Sequence, residues 1–119
     1  MNRSYREITK TVSASLSKLR ADIPDVTKAF SALGHAATRD GALSRKTKEL
    51  IALALAVAAH CDACIGFHVE ALVKAGASRL EVEEALGMAV YMGGGPSLMY
   101  AADALTAWEE MSATEPALA

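Results

Sequence analysis

The sequence predicts an all-α protein of about six helices, and three observations carry that expectation. Ala, Leu and Val dominate an apolar fraction of 52% in which aromatics are only 5%, the composition of closely packed helices. Apolar residues recur at spacings of three and four along most of the chain, and no segment alternates as a half-buried strand would. Prolines number only three, and Pro24 and Pro96 stand where a helix can begin. A chain of 119 residues can bury a core but is too short for two, so residues 1–119 read as a single domain.

Each element has its own justification. Ile8, Val12, Leu16 and Leu19 recur at helical spacing beside Arg6, Lys10 and Lys18, which predicts a first helix over about Ser4 to Arg20 with a solvated basic face. Residues 1–22 are thus an N-terminal helix whose task is packing. Pro24 opens a short second helix with Val26, Ala29, Phe30 and Leu33 as its apolar stripe, which Gly34 begins to close. Residues 38–41 read as a loop, and Ser44 is placed to cap a third helix carrying Glu49. Beyond Glu49 that helix is apolar on all sides, as a central, surrounded element should be. A turn follows near residues 60–62, and Cys61 starts a fourth helix with Ile65, Phe67, Val69, Leu72 and Val73, ended by Gly76. Ser78 and Glu81 form a capping box that opens a fifth helix with Val82, Leu86, Ala89 and Val90 inward. Gly93-Gly94-Gly95-Pro96 interrupts the pattern. A last helix then places Met99, Ala102, Leu105 and Trp108 on one side, and residues 112–119 are expected to form a frayed tail. Met88, Met92, Met99 and Trp108 are core or subunit-interface candidates.

Charge and hydropathy exclude several function classes. Twelve basic against fourteen acidic side chains leave a net charge of -2, which argues against a nucleic-acid or anionic-membrane surface. The charge-free run from Leu50 to Cys61 is well short of the ~20 residues that span a bilayer. No apolar segment follows the charged start of the chain, so a cytoplasmic location is expected. In a reducing cytosol a permanent disulfide is not expected to persist, and a close cysteine pair there is redox-active or metal-binding.

The chemistry-bearing residues gather between Glu49 and His68. Cys61 and Cys64 are three apart and His68 follows four later, so all three lie near one face of a helix. A short connection makes the third and fourth helices an antiparallel hairpin, in which Glu49 would meet His68. The carboxylate would hold the imidazole's tautomer, and the imidazole would help Cys64 lose its proton. That assistance matters because a thiol with an ordinary pKa of about 8.5 is mostly protonated near neutrality. The N-terminus of the fourth helix also favours negative charge. A thiolate so placed can attack the O–O bond of a peroxide to give a sulfenic acid, which a neighbouring thiol converts to a disulfide. Cys64 is assigned the attack; Cys61 is the resolving cysteine and the point of contact with a reducing dithiol. The reverse order stays open, since the N-terminal sulfur of many CxxC pairs is the reactive one.

Glu49, the Cys61-Asp62-Ala63-Cys64 segment and His68 together resemble the signature of AhpD-like alkylhydroperoxidases within the carboxymuconolactone decarboxylase family. The resemblance extends through Gly41-Ala42-Leu43-Ser44, Lys48-Glu49-Leu50, Ala75-Gly76-Ala77, Glu81 with Glu84, and Gly93-Gly94-Gly95-Pro96, covering about Pro24 to Trp108. It implies an all-α fold, thiol peroxidase or disulfide reductase activity, catalytic Glu49, Cys61, Cys64 and His68, and assembly into trimers or hexamers. It also implies no resident cofactor and regeneration by an external dithiol of the lipoyl type. One position departs from the pattern: the peroxidase members carry a His between the cysteines, where this chain has Ala63. His60, immediately before Cys61, is an auxiliary candidate.

Other readings remain open at the level of sequence. Cys61, Cys64 and His68 with Glu49 or His60 could supply four zinc ligands, although structural zinc sites usually draw ligands from a second loop. The cysteines could be inert packing residues. A relative on the same scaffold could carry out decarboxylation or lactone chemistry. His35 is given no role, and the glycine run lacks the Lys and Ser or Thr of a phosphate loop.

Overall fold

A computed structural model of the chain describes residues 3–113, and among them it holds six helices and no strand. They are α1 (Tyr5–Asp22), α2 (Pro24–Thr38), α3 (Arg45–Ala58), α4 (Asp62–Lys74), α5 (Arg79–Gly93) and α6 (Gly95–Ser112). Serines start three of them. Ser4, Ser44 and Ser78 each turn a side-chain oxygen onto a first-turn amide, and Ser78 with Glu81 closes the reciprocal capping box. Backbone hydrogen bonding, first to Ser78, and the nearby Lys46 ammonium hold the Glu81 carboxyl below its usual range. The helix ends are equally local. Cys61 N–H bonds the Ala56 carbonyl and His60 N–H that of Val57, while Ala77 and Gly76 repeat the pattern on Leu72 and Val73 at the end of α4.

The hairpin of α3 and α4 packs on α5 and α6, and these four helices supply nearly all of the core. Leu53 and Val57 of α3 meet Ile65, Val69 and Leu72 of α4, Val82 and Leu86 of α5, and Ala104, Ala107 and Trp108 of α6. Burying each of the large aliphatic side chains stabilises the fold by about 1.5–3 kcal/mol. Alanines let α6 approach closely. Helix α1 crosses α4 and α6, whereas α2 touches only α1 and α3 and buries none of its residues. That outlying helix agrees with a Cα radius of gyration of 14.9 Å, above the roughly 13.5 Å of a compact domain this long.

Four sequence expectations need correction. Gly34 does not begin to close α2, which continues to Thr38 through residues that tolerate a helix. The stripe of Val26, Phe30 and Leu33 faces outward, the phenyl ring of Phe30 belonging to a residue 74% exposed. Helix α3 is not surrounded, since Ile51 and Leu55 are exposed while Leu53, Ala56 and Val57 are buried. On α6, Met99 and Ala102 point to solvent, and the inward stripe is Ser97, Ala101, Ala104, Ala107 and Trp108. The large residues misled because periodicity reports that a face is apolar but not whether this chain or another body covers it. Residues 114–119 of the expected tail lie outside the described residues.

The docking of α1 depends on one small residue. A Cβ at Gly66 would stand 2.6 Å from the methyl group of Thr9, which is itself buried. Gly66→Ala should therefore destabilise the protein by about 1–2 kcal/mol, overpacking outweighing the roughly 1 kcal/mol gain in helix propensity. In a Thr9→Ser background the methyl is gone and the same substitution should become stabilising. Urea denaturation of the four proteins reads the change of sign.

Candidate active site

Glu49 lies one turn into α3, and His68 lies midway along α4. Antiparallel packing brings the Glu49 Oε2 to 2.7 Å from the His68 Nδ1. Glu49 is buried, with 4% of its surface exposed, while the His68 side chain keeps about a third of its surface in solvent. A carboxylate taken out of water needs a donor, and the ring nitrogen is the one it has. With the carboxylate accepting, Nδ1 supplies the hydrogen, and the neutral form of the ring then has its lone pair on Nε2. The pair is thus an oriented base with one nitrogen free to take a proton.

Cys61 caps α4, and its sulfur accepts a 3.3 Å hydrogen bond from the Cys64 amide. It occupies the position that a Ser or Asp oxygen fills at other helix starts, where orphan amides and the helix dipole favour negative charge. Cys61 and Cys64 are joined in a disulfide with their Cα atoms 5.3 Å apart. Cys64 is exposed and Cys61 half-buried. Cys64 and His68 stand one turn apart on the same helix, so the structure brings all four expected residues to one hairpin. Among the described residues, no group of three or more His, Cys, Asp or Glu side chains converges as a metal-ligand set.

His60 takes the left-handed conformation, with φ of 57°, where α3 turns into α4. The matching position after α4 is Gly76, the residue that takes this conformation without penalty. A histidine there is mildly strained. Its ring stacks on Tyr100 of α6, centroids 4.5 Å apart and planes within 3°. Sequence reasoning found His60 but neither Tyr100 nor Tyr5, whose hydroxyl donates a 3.3 Å hydrogen bond to Asp62 Oδ1 between the two cysteines. No spacing rule reaches a contact between residues so far apart in the chain.

Six helices with a CxxC pair at a helix start and a Glu–His pair behind it define an AhpD-like thiol scaffold. The model of the carboxymuconolactone decarboxylase family matches residues 24–107, and the chain belongs to that family. A carboxymuconolactone decarboxylase family protein of Legionella pneumophila, solved in its apo form, is 60% identical, with a TM-score of 0.91 over 92% of this chain and 97% of that one. A family protein of Thermotoga maritima, for which a part in antioxidative response has been suggested, is 33% identical, with a TM-score of 0.78 over 87% of this chain and 88% of its own. An uncharacterized protein of Cupriavidus necator is 42% identical over 76% of this chain and 80% of the relative.

Removing one member of the Glu49–His68 pair should expose how much each depends on the other. His68→Ala strands a buried carboxylate and should destabilise the fold by about 1–3 kcal/mol. In a Glu49→Gln background the same change should cost markedly less. A double-mutant cycle by urea denaturation measures the difference.

Proposed function

We propose that the protein is a thiol peroxidase and disulfide oxidoreductase that reduces hydroperoxides with Cys61 and Cys64. The observation that carries this reading is the 2.7 Å contact between Glu49 and His68, one helical turn from a CxxC sulfur. His68 Nε2 takes the proton of Cys64. The thiolate attacks the terminal peroxide oxygen, the O–O bond breaks, and the departing alkoxide takes a proton to leave as alcohol. Cys64 is then a sulfenic acid. Cys61, held as the helix cap, attacks that sulfur; hydroxide leaves with the Cys61 proton as water, and the disulfide forms. An external dithiol of the lipoyl type returns both cysteines to thiols and becomes a disulfide. The exposure of Cys64 supports its choice as the attacking sulfur.

Ala63 favours a second reading, in which the physiological oxidant is a disulfide rather than a peroxide. With no His between the cysteines, the Glu49–His68 base serves dithiol exchange as well as it serves O–O cleavage. Both readings use the same residues and a cytoplasmic setting, whose reducing poise keeps the cysteines available. No helix among the described residues is long and apolar enough to cross a membrane.

The exposed apolar residues support assembly into a trimer or hexamer. Phe30, Leu33 and Val26 on α2, Leu55 on α3, and Tyr91, Met92 and Met99 around the α5–α6 junction exceed what scattered surface residues explain. Contact with further copies of the chain would also give α2 the burial that it lacks in one subunit.

Reduced protein treated with cumene hydroperoxide should form the Cys61–Cys64 disulfide, and Cys61→Ser should trap a sulfenic acid on Cys64, both read by mass spectrometry. Glu49→Gln should slow thiol consumption at least tenfold. Unreacted thiols in the wild type would overturn the peroxidase reading, and turnover of a disulfide substrate by the same sample would select the second. For assembly, wild type should elute in light-scattering chromatography as a trimer or hexamer and Phe30→Glu as a smaller species. A monomeric wild type would defeat that part of the proposal.

A further inference from the structure

The residue between the cysteines that faces α1 is Asp62, the first residue of α4. Its carboxylate is negative at the helix end that would stabilise a thiolate at Cys61 or Cys64, so the two charges draw on the same dipole and repel each other. An aspartate in that place opposes the thiolate by more the nearer its carboxylate stands to the sulfurs. Tyr5 fixes where it stands. The phenol comes from the first turn of α1, is buried to 7% exposure, and donates to Asp62 Oδ1.

The placement of Tyr5 is built from several sides. Ser4 caps the helix start, and the Glu110 carboxylate of α6 accepts the backbone amides of Tyr5 at 3.1 Å and Arg6 at 2.9 Å. One turn further along, Thr9 fits against the missing side chain of Gly66. Around the phenol lie Asp62 of α4 and Asp103 and Tyr100 of α6. Burial pushes the Tyr5 phenol well above its ordinary value, and the Asp62 and Asp103 carboxylates push it further. It therefore stays protonated across the range in which thiols titrate, and it acts there only as a donor. A cleft of about 410 Å³ beside this contact, bordered by Arg3, Asp103 and Glu110, opens Asp62 to water. Without Tyr5, the Asp62 carboxylate is free to turn within that space.

We infer that Tyr5 is a positioning residue for the redox pair: by holding the Asp62 carboxylate on α1, it keeps an opposing charge from the thiolates and sets the dithiol–disulfide balance. The inference rests on the reading of Cys61 and Cys64 as a reversible redox pair, and it adds a control exerted from a helix that carries none of the reacting groups. It does not depend on which oxidant the pair meets.

The test uses Tyr5→Phe, which keeps the ring and its packing and deletes only the donor. Two readouts are followed, the rate of thiol alkylation by iodoacetamide against pH and the thiol–disulfide equilibrium in dithiothreitol redox buffers. Tyr5→Phe should alkylate about threefold to tenfold more slowly near neutrality and shift the equilibrium toward disulfide by the same factor, about 14–30 mV more reducing. Asp62→Asn should shift both in the opposite direction, and adding Tyr5→Phe to Asp62→Asn should change neither. Thermal melting of each variant separates these effects from unfolding. A Tyr5→Phe protein with wild-type alkylation and potential, or one whose shift persists in the Asp62→Asn background, would overturn the inference while leaving the redox reading intact. A wild type with no reversible disulfide would overturn both.

Discussion

A buried carboxylate facing an imidazole is the constraint to which the rest of the fold answers. Glu49 sits at 4% exposure in a helix whose next turns are wholly apolar, and water cannot satisfy it there. The contact with His68 Nδ1 is possible only if α3 and α4 run antiparallel at a fixed register, which the turn at residues 59–61 imposes. That register is itself held by the packing of Leu53 and Val57 on Ile65 and Val69. Displacing either helix by one residue would rotate the pair apart and leave a carboxyl group unpartnered in the core. Apolar packing and site geometry are thus one requirement met twice, and the helix that carries the base also carries both sulfurs.

The same economy appears at the start of α4. Local structure there would be more stable with a glycine at residue 60 and a Ser or Asp oxygen at residue 61, the residue types that suit a left-handed turn and a helix cap. This chain has His60 and Cys61 in those places. The strain of the histidine is of order 1 kcal/mol and the weaker sulfur cap loses a comparable amount, small against the burial supplied by the four-helix core. Two adjacent departures from local preference, one of them a cysteine of the disulfide, are what a functional constraint on side-chain choice would leave.

What could be read from the sequence follows from the range of each signal. Helix starts were legible where their signals are local: Ser44, Ser78 and Pro24 act within four residues of themselves. The Glu49–His68 contact was legible because a hairpin relates positions symmetric about its turn, so counting residues substitutes for coordinates. Burial was less so. Phe30 and Met99 have the periodicity of core residues yet face outward, because period identifies an apolar face and says nothing of what covers it. Tyr5 and Glu110 were invisible because their contacts span 57 and 105 residues of chain, where no spacing rule operates.

The outward apolar faces bear on how the site is enclosed. Within one chain, His68 and Cys64 stand at the edge of the hairpin, and α3 has an apolar side, with Ile51 and Leu55, that no other helix among the described residues covers. A thiolate and an imidazole exposed to bulk water gain little from each other, because solvent screens their interaction. The attraction within a thiolate–imidazolium pair rises as the local dielectric falls, while each charge by itself becomes costlier, so enclosure helps only as far as the pair stays in contact. A surface that packs on other subunits around this edge would therefore do more than supply α2 with a partner. It would lower the dielectric around the Glu49–His68 contact and strengthen it.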